Sequence, residues 1–149
     1  MLHKQISVFI ENKRGRLAGI TKVLGDNGID MSALCIADTA DYGIMRVIAD
    51  KPDLAEKVLK DAGYAVNITE VIAIYVEDRP GGLAWALSVL DEYEINIEYM
   101  YHLIQKSGRK AVVIIRVDNP AAAVDKLKQS PLQLVTRKDL AGTAEEGDG

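Results

Sequence analysis

The residues best suited to chemistry lie in two short loops, one from Asn12 to Leu17 and one from Asp78 to Leu83. Each loop contains a glycine, Gly15 or Gly81, that allows close backbone approach. A helical pattern begins directly behind each glycine, and the first turn of a helix presents N–H groups that lack intrahelical partners. Such an end attracts a carboxylate or a phosphate. Each loop is therefore a candidate anion-binding corner, and a plain tight turn is the alternative interpretation of the same residues.

The two loops belong to a sequence repeat with a constant offset of 66 residues. The matched pairs include Ile6 with Ile72, Glu11 with Glu77, Gly15 with Gly81, Leu17 with Leu83, Leu24 with Leu90 and Ile29 with Ile95. A long period with only two copies indicates two small domains of one fold and not a solenoid. We therefore expect one domain over residues 1–69 and a second over residues 70–140. Residues 141–149 are acidic and nearly devoid of apolar side chains, which predicts a disordered tail.

Hydrophobic periodicity predicts the element order βαββαβ in each copy. The predicted strands of the first copy are residues 5–11, 29–37, 44–49 and 64–67, and those of the second copy are residues 71–77, 95–104, 111–117 and 132–136. A helical stripe follows the first and the third strand of each copy. This order is the ferredoxin-like arrangement. The predicted fold class is therefore α+β, with two antiparallel four-stranded sheets that each carry their helices on one face.

The sheet face without helices is apolar in this prediction. Phe9, Tyr75, Val112 and Ile114 are expected to lie on it. Exposed apolar surface of this extent is usually covered by a partner. A closed symmetric dimer is the simplest oligomer that would cover it. We therefore expect a homodimer.

The loops and the strands around them resemble the ACT domain, a small amino-acid-sensing module attached to many metabolic enzymes. The resemblance covers residues 5–137 and is closest from Glu77 to Leu83, while Arg14 stands where the family often has a proline. It implies that an amino acid binds between two adjacent domains, at the corner loop of one and the start of the second strand of its neighbour. Carried onto this sequence, the implied ligand-binding residues are Asn12, Gly15, Arg16 and Leu17 with Asp30, and Asp78, Gly81, Gly82 and Leu83 with Asn96.

The polar residues of these sites are exchanged between the copies. If each site joins the corner of one copy to the second strand of the other, Asn12 meets Asn96 and Asp78 meets Asp30. The two carboxamides can donate to a carboxylate and accept from an ammonium, whereas two ionised carboxylates only accept and repel an anion. We therefore predict one amino acid per chain, at the Asn12–Asn96 site, with the other site empty or holding a cation.

Composition and motifs argue against several other functions. The net charge of −4 comes without a basic patch, so we expect no nucleic-acid partner. The chain has no apolar run of about 18 residues that could cross a membrane, and its single cysteine, Cys35, suits a reducing cytoplasm. His3 and His102 are isolated in sequence, which argues against a metal site. No catalytic or cofactor motif is present, so we expect neither enzyme activity nor a cofactor.

The leading hypothesis is a free-standing, non-catalytic sensor that binds a small amino acid and transmits its occupancy to a partner. The alternative is a regulatory subunit docked to a separate metabolic enzyme of the acetolactate-synthase type, acting mainly through protein–protein contact. A phosphate- or nucleotide-binding module that uses Lys13, Arg14 and Arg16 is a third hypothesis. RNA binding on the sheet is disfavoured by the charge and by the lack of paired aromatic residues with arginine on the central strands.

Overall fold

The structure, a computed structural model, describes residues 1–38, 41–103 and 110–140. These residues divide into two compact units. The first unit is Lys4–Thr69, and the second unit combines Met1–His3 with the described residues from Glu70 onward. The predicted tail, residues 141–149, lies outside the described residues. The last residue of the predicted strand 95–104 lies outside them as well.

The first unit contains three strands, two helices and the start of a fourth strand. Its elements are β1 (Leu2–Glu11, whose first two residues belong to the second unit), α1 (Arg16–Asp26), β2 (Met31–Asp38), β3 (Tyr42–Ala49), α2 (Pro52–Asp61) and the beginning of β4 (Ala65–Glu77). β3 lies between β1 and β2 and is antiparallel to both. β1 and β2 are therefore parallel to each other and are connected through α1.

Alternate strand residues of the first unit bury one sheet face against the two helices. Ile6, Val8 and Ile10 of β1 contribute every second side chain to a single apolar core, as the period of a strand requires. The other buried members are Ile20, Leu24, Ile29, Met45, Val47, Ala49, Ala55, Leu59 and Val66. In each helix the two buried residues lie four positions apart, so each helix presents one apolar stripe to the sheet.

The second unit repeats this arrangement. Its elements are the rest of β4, α3 (Gly82–Glu92), β5 (Ile97–His102), β6 (Lys110–Val117) and α4 (Pro120–Leu127). β6 lies between β4 and β5 and is antiparallel to both. The predicted last strand is a short pairing, in which Leu134 bridges to Ile74 and the Tyr75 N–H donates to Gln133 O at 2.9 Å. The predicted α+β class with ferredoxin-like units is confirmed.

The core of the second unit is equivalent to that of the first. It is formed by the side chains on one face of the strands and by one apolar stripe of each helix, as strand alternation and helical spacing require. Its fully buried large side chains are Ile72, Ile74, Leu90, Ile115 and Leu127. Each unit therefore has an apolar core of its own.

The predicted break between the strands that join the copies is wrong. The sequence predicted one strand at residues 64–67 and another at residues 71–77, whereas the structure has a single strand, β4, through both. Ile68 and Thr69 are β-branched, and no glycine or proline interrupts the stretch, so the chain stays extended. The boundary between the two units therefore falls inside a strand and not in a linker.

The sheet face without helices differs between the units. In the first unit Phe9 is 49% exposed, and its antiparallel neighbour Ile44 is half-buried. In the second unit Val112 and Ile114 are only 2% and 0% exposed. The expectation of a bare apolar face is therefore wrong for Val112 and Ile114, because a single chain already buries both. Phe9 keeps the exposure that was expected of it.

Candidate functional site

Both predicted corners contain a glycine in the left-handed backbone conformation immediately before a helix. Gly15 has φ 88° and precedes α1, and Gly81 has φ 81° and precedes α3. A Cβ added at either glycine would meet no atom within 4 Å. The backbone angles and not crowding therefore require glycine, because residues with a Cβ rarely adopt this conformation.

The helix ends at the two corners present backbone donors. No side chain of the described residues caps α1 or α3 at its N-terminus. Part of the donor capacity is used within the loops, since the Arg16 N–H donates to Lys13 O at 3.3 Å and the Gly82 N–H donates to Arg79 O at 3.0 Å. The N–H groups that follow in the first turn can donate to a carboxylate, which the helix end also favours electrostatically.

Charged side chains surround the first corner. The Glu11 carboxylate lies 2.9 Å from Lys13 Nζ and 3.7 Å from Arg16 Nη2. The hydrogen bond and the charge of Lys13 lower the pKa of Glu11, and the charge of Arg16 acts in the same direction. The Asn12 N–H donates to Asp41 O at 3.0 Å, which anchors the loop to the segment before β3. The first corner therefore combines one carboxylate and two cations on an anchored loop.

The second corner is tighter than the first. Gly82, which occupies the position of Arg16, is buried, and a Cβ added to it would overlap the carbonyl oxygen of Glu77. Arg79 donates to the Glu77 carboxylate, and this hydrogen bond lowers the pKa of Glu77. The Glu77 carbonyl thus fills the space that a side chain uses in the first unit. Only glycine fits at position 82 without a backbone shift.

The predicted strand-two residues, Asp30 and Asn96, lie just before β2 and β5. The Asp30 N–H donates to Asp50 Oδ1 at 2.9 Å, and the Asp50 N–H donates to Asp30 O at 3.1 Å. The 11 residues of α1, a helix about 16 Å long, separate Asp30 from Gly15, and α3 separates Asn96 from Gly81 in the same way. The corner and the strand start of one unit therefore lie at opposite ends of its first helix, and the predicted site is not assembled within a single unit.

Two leucines extend the corners with apolar surface. Leu17 and Leu83 occupy the first turns of α1 and α3, and both are exposed. Trp85, two residues after Leu83, is exposed as well. Large apolar side chains kept at the surface at the same helical position of both units favour a contact with a ligand or a partner.

The sequence did not predict an open groove in the first unit. The groove has a volume of about 450 Å³, which lies in the range of about 300–1,000 Å³ typical of small-molecule sites. Its lining includes Phe9, Glu11, Ala37, Tyr42 and Ile44. Strand register places these residues on the sheet face without helices, beside the first corner. Phe9 at an outward position of β1 was the signal in the sequence, and Tyr42, which is 66% exposed, was missed.

Each of the two histidines has a ring nitrogen close to a backbone carbonyl oxygen. His3 is buried, and its Nε2–H donates to Val135 O at 2.8 Å. Burial lowers the pKa of His3, so its ring is neutral near pH 7. The Nδ1 atom of His102 lies 3.1 Å from Leu103 O.

Across residues 1–38, 41–103 and 110–140, no three His, Cys, Asp or Glu side chains are grouped to hold a metal ion. Within the same ranges none of the helices has the length and apolar character that crossing a membrane requires.

Comparison with known proteins agrees with the fold. The family model of the ACT domain pair matches residues 1–144. The crystal structure of protein BT0572 from Bacteroides thetaiotaomicron is 44% identical and has a TM-score of 0.83, over 94% of this chain and 96% of that chain. None of the curated proteins compared with this chain matches it.

More distant structures share the fold. The ligand-free regulatory subunit of aspartate kinase from Thermus thermophilus is 19% identical and has a TM-score of 0.63, over 85% of this chain and 91% of that chain. The corresponding subunit from Thermus flavus is 17% identical, with a TM-score of 0.61, over 87% of this chain and 94% of that chain. The resemblance seen in the sequence is confirmed, and the chain belongs to the ACT domain pair family.

Proposed function

We propose that this protein is a non-catalytic regulator that senses a small amino acid. The observation that carries the proposal is the repeated corner, in which Gly15 or Gly81 adopts the left-handed conformation before an uncapped helix end, within an ACT domain pair. The helix end supplies donors for the ligand carboxylate, and the side chains of the loops supply acceptors for its ammonium group.

The proposed ligand contacts come from the corner of one unit and the strand start of another. For the first site they are Asn12, Gly15, Arg16 and Leu17 with Asn96, and for the second site they are Asp78, Gly81, Gly82 and Leu83 with Asp30. Because the second site would bring two carboxylates to an anionic group, the proposal includes a single amino acid per chain, at the first site. Titration calorimetry gives this stoichiometry directly, and two equivalent sites per chain would contradict it.

A thermal-shift screen of the twenty common amino acids tests the proposed function. A ligand at 100 times its Kd stabilises the folded state by about 2.7 kcal/mol if it binds only that state. We expect one amino acid, or one group of similar amino acids, to raise the melting temperature, and calorimetry to confirm the binding. The absence of a shift with every amino acid at millimolar concentration would refute the proposal.

A second candidate function is that of a regulatory subunit docked to a separate metabolic enzyme. The exposed Leu83 and Trp85 on α3 favour it, because they offer an apolar surface for a partner protein. The regulatory subunits of aspartate kinase that share the fold make a kinase of that type a partner to test beside an acetolactate-synthase-type enzyme. A stoichiometric enzyme retained from native lysate supports docking, and Trp85→Ala should then release it.

The proposal also includes a homodimer in the cytoplasm. The exposed Phe9 on the sheet of the first unit favours association, and the single, half-buried Cys35 fits a reducing compartment. Sedimentation of the wild type and of Phe9→Glu tests the dimer, because a charge on a buried interface would shift the equilibrium towards the monomer. An unchanged dimer would assign the contact to another surface.

A further inference from the structure

The open groove of the first unit has an equivalent position in the second unit. Phe9 of β1 pairs with Ile44 of β3 in the same register as Tyr75 of β4 pairs with Val112 of β6. The two positions are therefore equivalent residue by residue, whichever domains assemble the ligand sites. The two positions share their backbone and differ in what fills them.

In the second unit, side chains of the unit itself occupy this position. The Lys110 Nζ lies 5.5 Å from the centre of the Tyr75 ring and donates to Gln133 Oε1 at 3.0 Å. Leu103, whose N–H bonds to β6, takes the place of Ala37 and is only 4% exposed. A leucine and a lysine side chain thus lie over the surface that stays open in the first unit.

In the first unit, the groove combines apolar walls with a charged end. Phe9 and Ala37 contribute apolar surface. Glu11 lines the same groove, and its carboxylate is within ion-pair distance of both Lys13 and Arg16. One carboxylate and two cations thus lie together where the groove meets the first corner. A zwitterion is complementary to such an end, because it offers an ammonium to the carboxylate and a carboxylate to the cations.

We propose that the groove of the first unit receives the apolar side chain of the amino acid that the protein senses. The ligand ammonium group would contact the Glu11 carboxylate, its carboxylate would lie at the N-terminal end of α1 beside Arg16 and Lys13, and its side chain would lie against Phe9 and Ala37. The inference rests on the proposed function and adds the class of ligand, an amino acid with a branched or aromatic apolar side chain. Burial of such a side chain supplies the selection against small or polar amino acids.

A dimer contact through Phe9 would compete with a ligand for this groove, and charge and volume favour a free amino acid as the occupant. The chain's own C-terminal residues 141–149 carry three carboxylates and almost no apolar side chains, so they do not match an apolar groove. A protein segment would offer apolar side chains but no free ammonium and carboxylate on one carbon atom. The paired charges beside the groove are complementary to that arrangement.

Titration calorimetry with leucine, phenylalanine, serine and aspartate tests the assignment. Ala37→Leu places in the groove the side chain that Leu103 provides in the second unit, and Ala37 is exposed, so the fold tolerates the change. The matched control is Ala121→Leu, which adds the same side chain at an exposed position of α4. We expect Ala37→Leu to weaken the binding of leucine or phenylalanine at least about tenfold and Ala121→Leu to leave it within about twofold.

A second variant tests the charged end. Glu11→Gln removes the charge proposed to meet the ligand ammonium, while 4-methylpentanoate has the side chain and carboxylate of leucine without that group. We expect Glu11→Gln to weaken leucine at least about tenfold and not to weaken 4-methylpentanoate, because removing a negative charge beside Lys13 and Arg16 does not disfavour a carboxylate. Equal weakening of both compounds would overturn the role given to Glu11 and with it the zwitterion in the groove.

The remaining outcomes separate this inference from the proposed function. If serine or aspartate binds and Ala37→Leu does not weaken it, the protein senses an amino acid but the groove is not its side-chain site. If leucine binds with unchanged affinity to Ala37→Leu while sedimentation shows that the same variant dissociates a dimer, the occupant is a second copy of the chain. If none of the twenty amino acids binds, the proposed function and this inference are both overturned.

Discussion

The two corners share a backbone turn but not their surroundings. In the first unit the residue after the left-handed glycine is Arg16, whose guanidinium reaches Glu11. In the second unit it is Gly82, which is buried against the Glu77 carbonyl. The positive φ angle restricts the turn position to glycine in both copies, whereas the next position is free to diverge. A repeated turn is therefore evidence for a repeated fold and not for two equal binding sites.

The largest expected effect is on folding, at the position where the corners differ most. Gly82→Ala introduces a Cβ that overlaps the Glu77 carbonyl oxygen, and backbone must move to relieve it. We expect a loss of about 3 kcal/mol in the free energy of unfolding, the upper range for overpacking. Arg16→Ala at the equivalent position should cost no more than about 0.5 kcal/mol, since it is an exposed surface change. Equal losses of unfolding free energy in urea would contradict the steric difference between positions 82 and 16.

The next effect is on ligand binding and separates the polar residues of the corners. Asn12→Asp replaces the carboxamide of the proposed first site by a carboxylate that repels the ligand carboxylate. We expect calorimetry to show binding at least about 30-fold weaker, which corresponds to about 2 kcal/mol.

The matched change in the other copy is Asp78→Asn. It should leave the first site within about twofold, and it could raise the stoichiometry from one to two ligands per chain by removing a carboxylate from the second site. A large loss of affinity from Asp78→Asn, with none from Asn12→Asp, would reverse the assignment of the two sites.

A smaller effect should be the same in both units. Gly15→Ala and Gly81→Ala meet no steric obstacle, so each pays only for a left-handed backbone in a residue with a Cβ. We expect each variant to lose about 1 kcal/mol of unfolding free energy. Asparagine at either position should lose less, because it tolerates this conformation better than alanine does. Unequal losses from the two alanine variants would show that the corners differ in backbone as well as in side chains.

The smallest effect appears only in acid and concerns the second unit. Burial lowers the pKa of His3 in the folded state, whereas the same side chain has a pKa of about 6.5 in the unfolded chain. As the pH falls below that value, the unfolded state binds a proton that the folded state does not yet bind. The free energy of unfolding therefore decreases until the pH reaches the pKa of His3 in the folded state. His3→Gln should flatten this decline between about pH 7 and pH 5, and the exposed His102→Gln should retain it. An identical decline in His3→Gln would assign the acid sensitivity to other groups.

Patterns of local origin could be predicted from the sequence. The alternation of Ile6, Val8 and Ile10 indicated a strand with one buried face, and these residues do enter the core. Gly15 and Gly81 indicated turns, and both adopt φ angles that favour glycine. Period and turn chemistry depend on neighbours in the chain, so they can be recognised without the tertiary structure.

Features that depend on distant residues could not be predicted. Val112 and Ile114 lie in an uninterrupted apolar run, Ala111–Ile115, but which side chains bury them is decided by the packing of other segments against β6. The groove likewise depends on the small side chain of Ala37 on β2, which lies on the same sheet face as Phe9 on β1, with β3 between them. Gly82 shows an intermediate case, because two consecutive glycines hint at a tight corner but do not name the carbonyl that crowds it.

The strand that crosses from one unit into the other restricts how the gene can change in length. Val66 of β4 enters the first core, and Ile72 and Ile74 enter the second, all at even positions of one uninterrupted strand. A single codon inserted after Thr69 would reverse the alternation of β4 between Val66 and Ile72 unless a β-bulge absorbed the extra residue, whereas two codons would keep it. Insertions and deletions at this junction should therefore be tolerated better in even than in odd numbers of codons.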